Sequence, residues 1–389
     1  MTPPATTRAT AHRPVPTTPE PAPPLDLAAR HLTAATPGLA GVLNDRATLR
    51  TLLAGPRTVP EIRAITGVSK PTAYQSVARL QGQSLAEPAP VPPRGARRCA
   101  GPAAERFQVP AGTAPLAAVT VSAHRIEVAL VDVTGRGLGP GTVSTRPGAA
   151  GPPGRAEVVG GVTEACRRAG LTPHRLAAVV VGATLAAARH LLDERPGPDE
   201  ENLPSGLQVH LDADLAATAE QHLGPADLDA HLLVWGGEEL LLSGRVQGLP
   251  VSGYSGTGLA HRTSRLFREL DLQALDRPAR TGPRTDADDA AAELLAAGLA
   301  RSLVGPVCLL DPHTVVLAGP RLTARAPGLA PLLHRELARL VPAAPAVRGT
   351  AVHGDPVLSG ALSHGLAEVR EQLMNSIGHG TAPGAPPSA

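Results

Sequence analysis

From Leu116 onward the chain alternates short β-branched runs with longer stretches rich in alanine and leucine, and that alternation restricts the fold more than any other feature. LAAVTVSAHRIEVALVDVTG reads as two adjacent strands, 117–122 and 125–132, turning around Ala123 and His124. Further on, helices near 158–169, 213–222, 286–304, 328–340 and 359–373 interleave with strands near 176–182, 231–235, 239–242 and 313–318. Strands separated by helices imply a layered α/β body, because each apolar sheet face must be covered. Phe, Tyr and Trp together make only 1% of the 389 residues, so its core is built from Leu, Val, Ala and Ile. No internal repeat is strong enough to read. The segment 271–285 is expected to be a loop or insertion, and the tails 1–40 and 376–389 to be disordered.

The longest apolar run, LAAVVVGATLAAA (176–188), is too short to span a bilayer and is flanked by Arg175 and Arg189. It reads as a buried strand running into a helix. The opening, MTPPATTRATAHRPVPTTPEP, has no apolar segment of the secretory kind. Cys99, Cys166 and Cys308 are far apart and odd in number, which argues against a disulfide framework or a cysteine-rich zinc site and fits a reducing cytosol. A cytoplasmic protein without membrane contact is expected.

The formal net charge of +2 conceals a division. Residues 41–110 hold ten Lys or Arg and four Asp or Glu, leaving the remainder mildly acidic. Such a basic module suits a polyanion, although a solvated basic surface would carry the same charge. Its apolar pattern is helical. LNDRATLRTLLAG puts Leu49, Leu52 and Leu53 on one stripe and stops at Gly55-Pro56, and VPEIRAITG forms a short second helix closed by Gly67. In GVSKPTAYQSVARL, Ser69 is placed to cap a third helix and Pro71 falls in its first turn, where a missing N–H costs nothing.

If Ala73, Val77 and Leu80 face inward, Thr72, Gln75, Ser76 and Arg79 face outward, able to bond base edges or phosphates. Three helices with a tight turn before the last make a helix-turn-helix. Lys70, the only lysine in the chain, stands where a helix N-terminus already favours a phosphate, and the Tyr74 hydroxyl could reach the DNA backbone. Two extended pieces, 85–87 and 106–109, flank a loop carrying Arg94, Arg97 and Arg98. Those arginines would tip a wing towards phosphate or minor groove, or merely keep a loop solvated. The expected DNA-binding set is therefore Ser69, Lys70, Thr72, Tyr74, Gln75, Ser76, Arg79, Arg94, Arg97 and Arg98. Arg63 stands where such motifs usually carry a small alanine, a place Ala64 could take after a small rotation.

TGVSKPTAYQSVARL and GPAAERFQVP, followed in order by LQVHLDADLAATAE, ELLLSGRVQG, LARSLVGPVCLLDPHTVVLAGPRL and VLSGALSHGLAEV, resemble the regulator branch of the ROK family (repressors, open reading frames, kinases) over about residues 43–373. The resemblance implies a winged helix-turn-helix fused to an actin/hexokinase-like, ribonuclease H-like body of two lobes. Expected domains are 41–112 for the head and 113–375 for the body. It further implies double-stranded operator DNA of palindromic kind, a homodimer or higher assembly, and a sugar or sugar-phosphate effector.

The departures bear on activity. The family's first phosphate turn, Asp-x-Gly-Gly-Thr, aligns with Thr120, Val121, Ser122, Ala123 and His124, without the carboxylate and both glycines. The second falls on LVWGGEE, where Glu238 and Glu239 would repel a phosphate, and the late turn AGPRL contains Pro320. The sugar-and-zinc motif Glu-x-Gly-His aligns with GLAH, keeping His261 but with Gly258 in place of the glutamate, and no cysteine-rich run follows. Asp212 matches the catalytic aspartate, although an aspartate before a helix is also an ordinary N-cap. Asp212 and His261 are the candidate effector-binding residues, and no metal, cofactor or kinase activity is expected. Two other readings remain open on sequence: an ATP-dependent sugar kinase with a regulatory head, and an interaction protein whose basic head holds DNA non-specifically.

Overall fold

The computed structural model describes residues 37–90, 105–122, 125–139, 143–145, 152–225, 230–237, 240–246, 249–253 and 286–378. The chain divides into two units, Met1–Leu43 and Asn44–Ala389. Of the first, only the opening turns of a helix are described; the head and the body belong to the second.

That helix, α1 (Pro37–Leu53), begins earlier than the sequence pattern indicates, so residues 37–40 are helical rather than part of a loose tail. Helices α2 (Val59–Thr66) and α3 (Lys70–Gly82) come next. Strands β1 (Arg57–Thr58), β2 (Glu87–Pro88) and β3 (Arg106–Gln108) form a small antiparallel sheet in the order β1-β3-β2. Leu49, Leu52, Ile62, Ala73, Val77, Leu80 and Phe107 fill the core of this head. The inward side of α2 is Val59 and Ile62; Arg63 and Ala64 are both exposed, so the expected substitution of Ala64 into the core does not occur.

The body contains two five-stranded sheets of the same topology. In the first, β4 (Leu116–Ser122), β5 (Arg125–Val131) and β6 (Val143–Thr145) run as an antiparallel meander, while β7 (Ala178–Ala183) and β8 (Gln208–Leu211) add in parallel beyond β4. The order is β6-β5-β4-β7-β8. In the second, β9 (Ala230–Gly236), β10 (Leu240–Val246) and β11 (Leu249–Gly253) form the meander, and β12 (Thr314–Ala318) and β13 (Ala346–Gly349) the parallel pair, giving β11-β10-β9-β12-β13.

Helices cover both faces of each sheet. Val158, Val162 and Cys166 of α4 (Arg155–Arg168) and Leu191 of α5 (Leu185–Asp193) pack on Val119, Val179 and Val181 of the first sheet. Leu295, Leu299 and Leu303 of α7 (Asp286–Leu310) and Leu329 and Leu333 of α8 (Ala326–Ala338) pack on Val234, Val315 and Leu317 of the second. Helix α7 has the length and apolarity of a membrane span over Ala290–Leu310, but its leucine stripe lies against the sheet.

Between the sheets lie α6 (Asp212–Leu223) and α9 (Pro356–Ser376), whose Leu215, Ala216, Val357 and Ala361 share one cluster with Val180 of the first sheet and Leu233, Trp235 and Val316 of the second. The two helices touch most closely at Gly360: a Cβ there would lie 1.8 Å from the Leu215 carbonyl oxygen. Helix α9 starts at Pro356, earlier than the pattern predicts, because Asp355 caps it through the amides of Val357 (2.8 Å) and Leu358 (3.2 Å). It runs through Ser376, and Ile377 is buried, so the loose tail does not begin at 376; residues 379–389 lie outside the described residues. The expected loop at 271–285 and the tail over residues 1–36 also lie outside them.

Candidate nucleic-acid interface and the cleft between the sheets

The exposed helix of the head is placed by its caps. Thr58 and Glu61 cap α2 reciprocally, the Thr58 amide donating to Glu61 Oε2 at 2.7 Å and the Glu61 amide to Thr58 Oγ1 at 3.3 Å. The hydrogen bond from Thr58 holds the Glu61 carboxyl below its ordinary pKa. Gly67 ends α2 in the left-handed region at φ 73°, where its N–H reaches the Arg63 carbonyl at 2.9 Å. After Val68 the chain is already at Ser69, which caps α3 as the sequence predicts: Ser69 Oγ accepts from the Thr72 amide at 3.3 Å and pairs with Thr72 Oγ1 at 2.8 Å. Pro71 sits in the first turn.

Around α3 the residues sort by angle. Ala73, Ser76, Val77 and Leu80 recur at i, i+3, i+4 and i+7 and are all buried. The expectation that Ser76 faces outward is corrected: it stands one turn from both Ala73 and Leu80 and its exposure is 0%. Lys70 and Tyr74 lie on one exposed flank, with Tyr74 52% exposed. On the other flank Thr72 is half-buried, and Arg79 turns back towards α1. Arg79 Nε and Nη2 each reach the Asp45 carboxylate at 2.7 Å, and Nη2 also lies 3.3 Å from Ser76 Oγ. This pairing raises the guanidinium's pKa further, and Asp45 is only 4% exposed. Arg79 is exposed, as expected, but its guanidinium is not free: a buried carboxylate 34 residues earlier holds its Nε–Nη2 edge. Sequence spacing carries no signal for that contact. Arg94, Arg97 and Arg98 lie outside the described residues.

The body has a cavity of about 450 Å³ where the ends of the two sheets face the starts of α6 and α9. It gathers Thr120, Val121 and Ser122 from the end of β4, Trp235 from β9, Gly319 and Pro320 after β12, and Asp212 and Asp355 at the two helix starts. The segments aligned with the first phosphate turn, the catalytic aspartate and the late turn thus converge on one place. Asp212 is the first residue of α6 rather than its N-cap, which is Leu211, so its carboxylate enjoys the helix dipole while facing the cleft. Arg125 and Glu127, also in the lining, pair with each other. The lining therefore carries three carboxylates against one guanidinium, and Asp355 already occupies the amides at the start of α9. Asp355 was missed in sequence, although Asp before Pro is a readable helix-start signal. His124, Glu238, Glu239 and His261 lie outside the described residues, and among the described ones no cluster of three or more His, Cys, Asp or Glu is disposed to hold a metal.

No protein-family model matches the chain, and no curated protein is significantly similar to it. Solved structures do match. A ROK family transcriptional regulator, a homolog of the E. coli MLC protein, aligns over 87% of this chain and 99% of its own at 11% identity and a TM-score of 0.55. ROK hexokinase from Thermus thermophilus aligns over 66% of this chain and 99% of its own, at 19% identity and a TM-score of 0.48. A ROK family glucokinase from Streptomyces griseus, solved with glucose and AMPPNP, aligns over 64% and 98%, at 16% identity and a TM-score of 0.45. At these identities the likeness concerns architecture: the chain has the fold of the ROK proteins.

Proposed function

We propose that the chain is a cytoplasmic, sequence-specific DNA-binding transcriptional regulator of the ROK type, acting as a repressor. In this reading residues 41–112 form a winged helix-turn-helix. The body, 113–375, pairs with a second copy and sets two recognition helices on a palindromic operator. The observation that carries the reading is α3 itself: a capped helix with an exposed outer side bearing Lys70, Tyr74 and Gln75, in the basic part of the chain. The match to the regulator over 87% of this chain supports it. Among the described residues of the cleft, Arg125 is paired and Asp355 occupies the α9 amides, which leaves little to cradle a nucleoside triphosphate and supports a body without kinase activity; the sugar or sugar-phosphate effector is proposed from the ROK likeness alone.

The test is selection of genomic fragments by the full chain at physiological salt, followed by sequencing. An enriched inverted repeat is expected. Binding that ignores sequence and vanishes steeply as salt rises would refute the specific regulator and favour a non-specific basic head. The sugar-kinase reading is favoured by one observation, Asp212 facing the cleft. ATP-dependent phosphorylation of a hexose by the full chain, lost in Asp212→Asn, would establish it.

A further inference from the structure

Opposite the buried stripe of α3, the residues Pro71, Gln75, Ala78 and Gly82 recur at i, i+4, i+7 and i+11, so they form the centre line of the outward face. Pro71, Gln75 and Ala78 are exposed, and Gln75 has the one hydrogen-bonding side chain on that line. The flanking residues are otherwise engaged or positioned. Thr72 Oγ1 is bonded to Ser69 Oγ, and Lys70 with Tyr74 lies to one side. Arg79 is the single arginine of the helix, and its Nε and Nη2 hydrogens are directed at Asp45 and Ser76.

Reading guanine takes two parallel N–H donors from adjacent nitrogens of the fork, aimed at O6 and N7. With its Nε–Nη2 edge taken by Asp45 and the second Nη2 hydrogen directed at Ser76 Oγ at 3.3 Å, Arg79 keeps both Nη1 hydrogens for a phosphate, and bracketing a guanine edge through Nη1 and Nη2 would cost it the Ser76 bond. Releasing the fork would leave the carboxylate of Asp45, 4% exposed, without its cation. Gln75 has the opposite aptitude: one amide donor and one acceptor side by side, the pattern that complements N7 and N6 of adenine. Ala78 and Pro71 on either side present only carbon, which suits a thymine methyl.

We infer that the operator half-site carries an A·T core, with adenine opposite Gln75 and no guanine assigned to Arg79, because Asp45 withholds the only arginine of the recognition helix from the bases. This inference rests on the proposed DNA-binding function and adds to it the base chemistry of the same face.

The experiment is selection from a randomised duplex library by the full chain and by the variants Gln75→Ala, Arg79→Met and Asp45→Asn, each first checked for native far-UV circular dichroism. The wild type is expected to enrich half-sites with an invariant adenine. Gln75→Ala should weaken the preference for that adenine about 5- to 100-fold, the worth of one bidentate base contact, and leave the other positions alone. Arg79→Met should return the wild-type base profile. Asp45→Asn keeps the shape of the partner but lowers its hold on the fork, and should add a guanine preference beside the adenine. The inference is overturned if the wild type selects a guanine that Arg79→Met erases, if Gln75→Ala leaves the adenine in place, or if Asp45→Asn returns an unchanged profile. A wild type that enriches no sequence at all would instead sink the underlying DNA-binding reading.

Discussion

Substituting alanine for Gly360 adds one methyl group at the closest approach of the two central helices, and the sign of its effect can be worked out in advance. The new Cβ would lie 1.8 Å from the Leu215 carbonyl oxygen and 2.4 Å from its carbon. Ordinary carbon–oxygen contact is near 3.3 Å, so α6 and α9 would have to part by about 1.5 Å. The obstacle is backbone in the middle of a helix, which no rotamer change can move. Overpacking of this kind typically costs about 1–3 kcal/mol, and a rigid backbone clash belongs at the upper end of that range. Alanine gains about 1 kcal/mol over glycine in helix propensity, leaving a net loss of roughly 2 kcal/mol. For a body of this size that is a fall in melting temperature of about 4–8 °C.

Gly160 supplies the control, since it lies exposed inside α4 with nothing within 4 Å of an added Cβ. There the propensity gain acts alone, and Gly160→Ala should raise the melting temperature by about 2–4 °C. Thermal unfolding followed at 222 nm compares the two. If Gly360→Ala were as stabilising as Gly160→Ala, the helices would not meet at Gly360, and the account of the layer joining the two sheets would be wrong.

Two further outcomes are expected. Glu220 is fully buried and accepts from Arg348 Nη2 at 2.9 Å, the Ala351 amide at 2.8 Å and the Thr350 hydroxyl, so Glu220→Gln should cost about 2–4 kcal/mol in urea unfolding; a loss under about 0.5 kcal/mol would show those bonds to be exchangeable for water. His210 meets His364 edge-on at 4.5 Å, and burial, then His364, lower its pKa against the weaker opposite pull of Asp214 and Glu368. The unfolded chain therefore takes up the proton first, stability is lost as pH falls from about 6.5 towards the folded value, and His210→Gln should melt with a smaller drop between pH 7.5 and 5.5 than the wild type.

What the sequence disclosed in the head was local, and what it concealed was not. The Ser69 cap and the stripe Ala73, Val77 and Leu80 are written within twelve residues, because a helix repeats every 3.6 residues and its cap is adjacent. Ser76 is misplaced when polarity is judged rather than angle: a serine is small enough to be buried wherever its own hydroxyl finds a partner, here Arg79. The Arg79–Asp45 pair joins two helices across 34 residues of chain, and neither residue is in any pattern that names the other. In the cleft, Asp212 is legible by resemblance, while Trp235 on β9 and Asp355 at the cap of α9 are brought to it by the fold.

The body shows the same division more systematically. Its inner strands β4, β5, β7, β9, β10 and β12 were all read from sequence. Those that escaped, β6, β8, β11 and β13, are the four edges of the two sheets. An inner strand is paired on both sides and covered on its faces, so it needs a sustained apolar run such as AVVVGA, in which every residue is buried. An edge strand pairs on one side only, and sequences as short and mixed as VST, QVHL, LPVSG and AVRG suffice. The duplication of the body resides in the order of all five strands, so removing the edges removes the repeat. That is why two sheets of identical topology left no repeat to read: what they share is the path of the chain, and residues need only satisfy the burial that each position on that path imposes.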